Sequence, residues 1–171
     1  MKICIVSDSH DNRVLLEAAV AEAHDWGAEA VLHCGDVVAP STLNVVQKYG
    51  LPVHVIHGNN MGDLYMMARI AAQPSSVVQF YGQDAGIELA GRRIFMVHYP
   101  HYAEAMAATA KWDLVCCGHD HKANIEKIRN VQGSETLLVN PGTVAGVAAP
   151  ATYAVGDLET LDFEIRPVPG A

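Results

Sequence analysis

The sequence predicts an α/β fold, two β-sheets with helices on their outer faces. Three observations carry this. Strand-like apolar runs alternate with helical stretches through the first half of the chain, and the second half is richer in strands. No internal repeat, low-complexity tract or shift of composition divides the 171 residues, a length that suits one domain spanning 1–171. Half of the residues are hydrophobic and only 18% are charged, which supports a sizeable core and excludes intrinsic disorder.

Taken in order, Lys2–Ser7 is an apolar strand. A helix follows from about Asn12, with Leu16, Ala19, Val20 and Ala23 on one face and Gly27 as its stop. Ala28–Cys34 is a second strand, and Pro40–Tyr49 a second helix with Pro at its start and Gly50 beyond its end. Pro52–His57 is a third strand, and the Met-rich segment Asp63–Ala72 is helical. The repeated strand–helix order predicts parallel strands joined by right-handed crossovers. Gly86–Ala90 and Arg92–His98 flank Gly91 as an antiparallel hairpin. A helix with Tyr102, Ala105, Met106 and Thr109 at helical spacing comes next. Strands at Asp113–Cys117, Ala123–Arg129 and Thr136–Val139 precede a final pair, Ala151–Leu158 and Leu161–Pro167. In the last of these, Leu161, Phe163 and Ile165 alternate with Asp162, Glu164 and Arg166, so one face is wet.

The formal net charge is −8 with neutral histidines, and the basic residues do not cluster. Such a chain repels long nucleic acid and anionic membrane, and any phosphate it handles must be held by bound metal instead. Asp8 interrupts the first apolar run too early for a secretory signal, and Asn140, Pro141, Gly142 and Pro150 break the longest uncharged stretch, so no membrane span is expected. Cys4, Cys34, Cys116 and Cys117 lie in or beside apolar runs and read as buried reduced thiols. Adjacent Cys116 and Cys117 point to opposite faces of a strand and suit no zinc spacing. The expected location is the cytoplasm.

Histidine is the anomaly, with nine copies. Asp8-Ser9-His10, Gly35-Asp36, Gly58-Asn59, His98 and Gly118-His119-Asp120-His121 each follow an apolar strand directly. Groups at the carboxyl ends of strands converge on one rim of an open α/β sheet, where ligands bind. Residues i and i+2 of an extended or turning segment point to the same side, which suits Asp-x-His and His-x-His. Singly, Asp8 reads as a helix cap, Asp36 and Asn59 as turn residues, and His98 as an ordinary hydrogen-bonded side chain. Together, two carboxylates, one amide and four imidazoles would fill two adjacent metal sites. Carboxylate and imidazole without thiolate suit Mn²⁺, Fe, Zn²⁺, Co²⁺ or Ni²⁺, and four imidazoles argue against Mg²⁺ and Ca²⁺.

The order Asp-x-His, Gly-Asp, Gly-Asn, lone His, Gly-His-x-His resembles the calcineurin-like metallophosphoesterases. Chain length, His33-Cys34-Gly35-Asp36 and Asn140-Pro141-Gly142-Thr143 are similar to their small single-domain, YfcE-like phosphodiesterase branch. The resemblance runs from Ile3 to the last strand pair and implies a four-layer α/β/β/α sandwich. It implies that Asp8, His10, Asp36 and His121 hold one divalent transition-metal ion, manganese first among the candidates. Asp36 would bridge to a second ion completed by Asn59, His98 and His119. The implied activity is hydrolysis of a small phosphodiester substrate by a metal-bridging hydroxide attacking phosphorus in line. A phosphomonoesterase on the same site is one alternative. Another is a non-catalytic scaffold resembling the retromer subunit that has lost catalytic histidines, although this chain keeps all seven ligand positions.

The chain departs from the family pattern at four places. Asn60 stands where many relatives have a histidine that contacts phosphate and protonates the leaving group, and Met61 follows where the small branch often has aspartate. His98-Tyr99-Pro100-His101 replaces the usual His-Gly, and Asp120 replaces Thr or Ser. Asn60 therefore takes the catalytic position, and His101 is a candidate acid if its loop folds back over the metals; otherwise it starts the next helix at the surface. His24 is expected exposed, His54 at solvent or a sheet edge, and His33 and His57 as strand histidines or hydrogen-bond partners of the ligands. Leu64, Met66, Met67 and Ile70 read as core, with a contact between copies of the chain as the other option.

Overall fold

The fold is a computed structural model of residues 1–171. Strands β1 (Lys2–Val6), β2 (Ala30–His33), β3 (Val53–Val55) and β4 (Val78–Phe80) pair in parallel in that order, as the strand–helix alternation predicts. Helix α1 (Arg13–Trp26) starts at Asn12, whose side-chain oxygen accepts the Leu15 N–H at 3.2 Å, and stops at Gly27 with φ 98°. With α2 (Asn44–Gln47) and α3 (Leu64–Ala71) it covers one face of this sheet.

The second sheet is built from β5 (Asp84–Leu89), β6 (Arg92–Val97), β7 (Leu114–Cys116), β8 (Asn124–Arg129) and β9 (Glu135–Asn140), in the order β5-β6-β7-β9-β8. β6, β7 and β9 are parallel, and β5 and β8 are antiparallel edges. Helix α4 (Pro100–Ala108) covers its outer face. The final pair, β10 (Thr152–Asp157) and β11 (Asp162–Pro167), returns to the first sheet, where β10 lies antiparallel to β1.

Period-2 alternation divides the apolar side chains among three cores. In β1, Cys4 and Val6 face α1, while Ile3 and Ile5 pack between the sheets with Leu32, Ile94, Met96 and Leu114. Val97, Val115, Cys117 and Leu138 pack on α4. The layers are therefore helix, sheet, sheet, helix. All four cysteines are buried and free, and Cys116 and Cys117 enter different cores, as their adjacency requires.

Several elements differ from expectation. Pro40–Leu43 is a 3₁₀ turn leading into the single-turn α2, because Pro40 and the polar Ser41-Thr42 favour a tight start over a continuous helix. β4 has only three residues, too few for a periodic signal. α4 packs through Ala103 and Ala107, whose small side chains allow close approach to the sheet, and leaves Tyr102 and Ala105 exposed. Only Met67 of α3 is buried; Leu64 and Ile70 are half-buried and Met66 is exposed. His54 is buried in β3 at 2.8 Å from the Tyr81 hydroxyl instead of facing solvent. His24 is exposed as expected.

Candidate metal centre

Five loops leave the carboxyl ends of β1, β2, β3, β6 and β7 on one rim, and their backbones are tied to one another. The Asp8 N–H donates to the Gly35 carbonyl and the His10 N–H to the Asp36 carbonyl, each at 3.0 Å. The Gly118 N–H donates to the His98 carbonyl at 3.0 Å. Asn140-Pro141-Gly142-Thr143 supports these loops from outside. The Thr143 hydroxyl donates to the Asp8 carbonyl at 3.0 Å, and the Asn140 amide donates to the Gly118 carbonyl and to Asp120 at 3.2 and 2.8 Å.

The glycines of Gly-Asn and Gly-His have a steric cause. A Cβ on Gly58 would lie 2.1 Å from Asp36 Oδ1 and 2.7 Å from His98 Nε2; one on Gly118 would lie 1.9 Å from Ser7 Oγ and 2.5 Å from Asp8 Oδ2. The side chains of Asp36 and His98 at Gly58, and of Ser7 and Asp8 at Gly118, occupy the space that any other residue would fill. Five of the seven predicted ligand residues take left-handed backbone: φ is 53° at Asp8, 40° at His10, 56° at Asp36, 75° at His119 and 60° at His121. Asp, Asn and His tolerate this region better than other side chains, yet such clustering marks stored strain at a functional rim.

All seven predicted ligand residues meet there. Asp8 Oδ1 lies 3.3 Å from His121 Nε2, 3.8 Å from His10 Nε2 and 4.0 Å from His98 Nε2. The two oxygens of Asp36 have different imidazole neighbours: Oδ2 is 3.8 Å from His10 Nε2, and Oδ1 is 3.4 Å from His98 Nε2. Asn59 Oδ1 lies 3.0 Å from His98 Nε2 and 2.8 Å from His119 Nδ1. Two ligand triads, Asp8–His10–His121 and Asp8–Asp36–His98, are close enough for a metal ion.

The donor chemistry fits metal. His98 Nδ1 donates to the Cys34 carbonyl at 2.8 Å and His121 Nδ1 to the Val147 carbonyl at 2.7 Å, which leaves each Nε2 lone pair directed at the centre. The Nε2 atoms of His10 and His121 face each other at 3.4 Å. Asp8 is buried, its Oδ2 accepts the His119 N–H at 3.0 Å, and its Oδ1 has no hydrogen-bond donor at all. A buried carboxylate oxygen without a donor, among imidazole lone pairs, suits a cation.

Asn60 and His101 stand apart from these seven. The Asn60 N–H donates to Asp36 Oδ1 at 2.8 Å and its carboxamide to Oδ2 at 2.5 Å, so Asn60 holds both oxygens of that carboxylate. His101 is exposed in the first turn of α4, with its ring against Tyr102 and Tyr99 and no hydrogen bond to any ligand residue.

Three neighbours were weakly signalled or missed in the sequence. His33 is buried beneath the rim, with Nε2 3.0 Å from Ser9 Oγ and Nδ1 accepting the Gly35 N–H at 3.3 Å. Burial, reinforced by nearby His98, pushes its pKa down to about 3, so this imidazole is neutral. The ring of Tyr99 packs against His119 and His98 at centroid distances of 4.7 and 5.4 Å. Its place directly after His98 was the available signal. A cleft of about 290 Å³ opens beside Asn59 and His98, walled by His57, Met61, Gln83 and Tyr99. Gln83 gave no sequence signal, because it sits in a loop between sheets.

Comparison with known proteins places the fold and the family. The chain is 26% identical to the phosphodiesterase MJ0936 of Methanocaldococcus jannaschii over 98% of both chains. The structure of an archaeal phosphodiesterase superposes with a TM-score of 0.86 at 23% identity, covering 98% of this chain and 99% of that one. The phosphoesterase YfcE of E. coli superposes with a TM-score of 0.67 at 17% identity, over 98% and 100% of the two chains. These two superpositions show the fold. Residues 1–161 match the model of the calcineurin-like phosphoesterase superfamily domain, and the chain belongs to that family.

Proposed function

We propose that residues 1–171 act as one catalytic domain that hydrolyses small phosphodiesters in the cytoplasm, using two divalent transition-metal ions and in-line displacement at phosphorus. The observation that carries this is the division of Asp36, whose Oδ2 faces His10 and whose Oδ1 faces His98. Asp8, His10 and His121 would hold one ion with Asp36, and Asn59, His98 and His119 would hold the other. Two such ions supply Lewis acidity at the phosphoryl oxygens and a nucleophile from water at neutral pH. The protein's part is orientation. Carbonyls of Cys34 and Val147 set the imidazole tautomers, and Asn60 fixes the rotation of the Asp36 carboxylate. Manganese heads the candidate metals, with nickel, iron, zinc and cobalt compatible with the same donors. The family resemblance to MJ0936, named a phosphodiesterase, supports the diester preference.

The test is metal analysis of the purified chain, followed by turnover of bis(4-nitrophenyl) phosphate and 4-nitrophenyl phosphate with each metal. Two ions per chain and faster diester turnover are expected. In Asp36→Ala both metal content and most turnover are lost, because one carboxylate serves both ions. Two tightly held ions and parental turnover in that variant refute the assignment; preference for the monoester makes the chain a phosphomonoesterase.

A further inference from the structure

Asn59 and His98, which the proposed reading gives to the second ion, form one end of a cleft whose remaining lining has no part in holding metal. None of the side chains lining it is Lys, Arg, Asp or Glu, although the chain as a whole carries a net charge of −8. Its walls are the Tyr99 ring, the His57 imidazole, the Met61 thioether and Val97. The exposed Gln83 side chain makes no hydrogen bond within the protein. Tyr99 is half-buried, and its ring is held nearly perpendicular to two imidazoles, at 70° to His98 and 65° to His119. His57 directs Nδ1 to the Gly58 carbonyl at 3.1 Å, which leaves its Nε2 free to accept.

We infer that this cleft takes one ester arm of the substrate, and that this arm is neutral and carries a planar aromatic ring of nucleobase size. The inference rests on the proposed phosphodiester reading, because a phosphate held beside Asn59 and His98 has its ester oxygen at the mouth of the cleft. An anionic arm finds no Lys or Arg there. A sugar or glycerol arm alone leaves the Tyr99 and Met61 faces unused and finds only Gln83 and the His57 Nε2 to pair its several hydroxyls. A flat π-system can stack on the Tyr99 ring, pack against the Met61 sulfur and pair its polar edge with the Gln83 carboxamide, which offers both a donor and an acceptor. A cavity of about 290 Å³ accommodates such a group.

The first experiment needs no metal and no turnover. Adenosine and ribose are titrated separately into the full-length metal-free chain and followed by amide chemical shifts. Adenosine is expected to bind at least about tenfold more tightly than ribose, the scale of one base stacked on an aromatic side chain. Its shifts should centre on Tyr99, Gln83 and His57. Tyr99→Leu, which keeps bulk and removes the ring, and Gln83→Ala, at an exposed position where misfolding is not at issue, should each shrink that ratio. The second experiment uses the manganese-loaded chain, with AMP and ribose 5-phosphate as competitors of bis(4-nitrophenyl) phosphate; the same ratio is expected. Equal binding of adenosine and ribose, shifts centred elsewhere, or a ratio preserved in both variants overturns the inference. Loss of all diesterase activity in the parent with every metal overturns the functional reading instead, while the metal-free titration still decides the cleft.

Discussion

Adding one methyl group to Gly58 tests whether the proposed metal centre depends on space reserved for its ligands. Gly58 has no left-handed φ, so alanine meets no backbone penalty and the effect is steric. The new Cβ would stand 2.1 Å from Asp36 Oδ1 and 2.7 Å from His98 Nε2, where ordinary contact begins at 3.4 Å. The carboxylate must therefore retreat by roughly an ångström, several times the ~0.2 Å latitude of metal–ligand distances. Its retreat also breaks the 2.8 Å hydrogen bond from the Asn60 N–H. Misplacement of about 1 Å at a reacting centre costs on the order of 10²-fold in rate. Overpacking adds about 1–3 kcal/mol of destabilisation. The expected result for Gly58→Ala is a diesterase rate down about 10²-fold, with weakened metal binding by titration calorimetry and a modest fall in metal-free Tm. Gly50→Ala is the control: φ is +67° with nothing within 4 Å, so it strains the backbone without touching the site. Unchanged metal affinity and turnover in Gly58→Ala would refute the steric argument.

Acid stability should report His33. Its folded pKa lies near 3 against an ordinary 6.5, so below pH 6.5 the unfolded chain binds a proton that the folded chain refuses. Stability is full above pH 6.5 and falls as pH drops towards 3, by a contribution on the order of 4 kcal/mol; urea titrations of metal-free His33→Asn should show a correspondingly shallower slope over that window. A leaving-group series tests the missing imidazole at position 60. Asn60 cannot deliver a proton, and general-acid help is typically worth ~10²–10⁴-fold, so rates should fall steeply as leaving-group pKa rises. A shallow dependence in both the parent and His101→Ala would show that another acid acts. Ile5→Ala, in the core between the sheets, should cost about 2–5 kcal/mol in urea unfolding with little change in turnover at low temperature.

Much of this was legible because strand periodicity and strand-end chemistry are local. The Cys4/Val6 and Ile3/Ile5 alternation and the polar groups directly after each apolar run needed no tertiary information. The five-loop convergence follows once parallel strands place their carboxyl ends on one rim. What stayed hidden depends on distances between segments. The return of β10 beside β1 is a pairing across most of the chain. The Asn60 contact with Asp36 spans 24 residues, and Gln83 reaches the cleft from a loop with no pattern. His54 was misjudged because a short strand does not reveal that Tyr81 will stack over its ring, with planes 11° apart.

The left-handed backbone at Asp8, His10, Asp36, His119 and His121 bears on how this chain can drift. Each such residue costs a non-glycine side chain about 1 kcal/mol, less for Asp than for a bulkier group, so the metal-free rim stores several kilocalories. Glycine at position 119 or 121 would relieve part of that strain while deleting a ligand. A lineage that no longer needs hydrolysis therefore has substitutions open to it that make the bare chain more robust, and erosion of the metal centre runs downhill in folding free energy. Under the proposed function, retention of all seven residues against that slope is what a centre still in use would show.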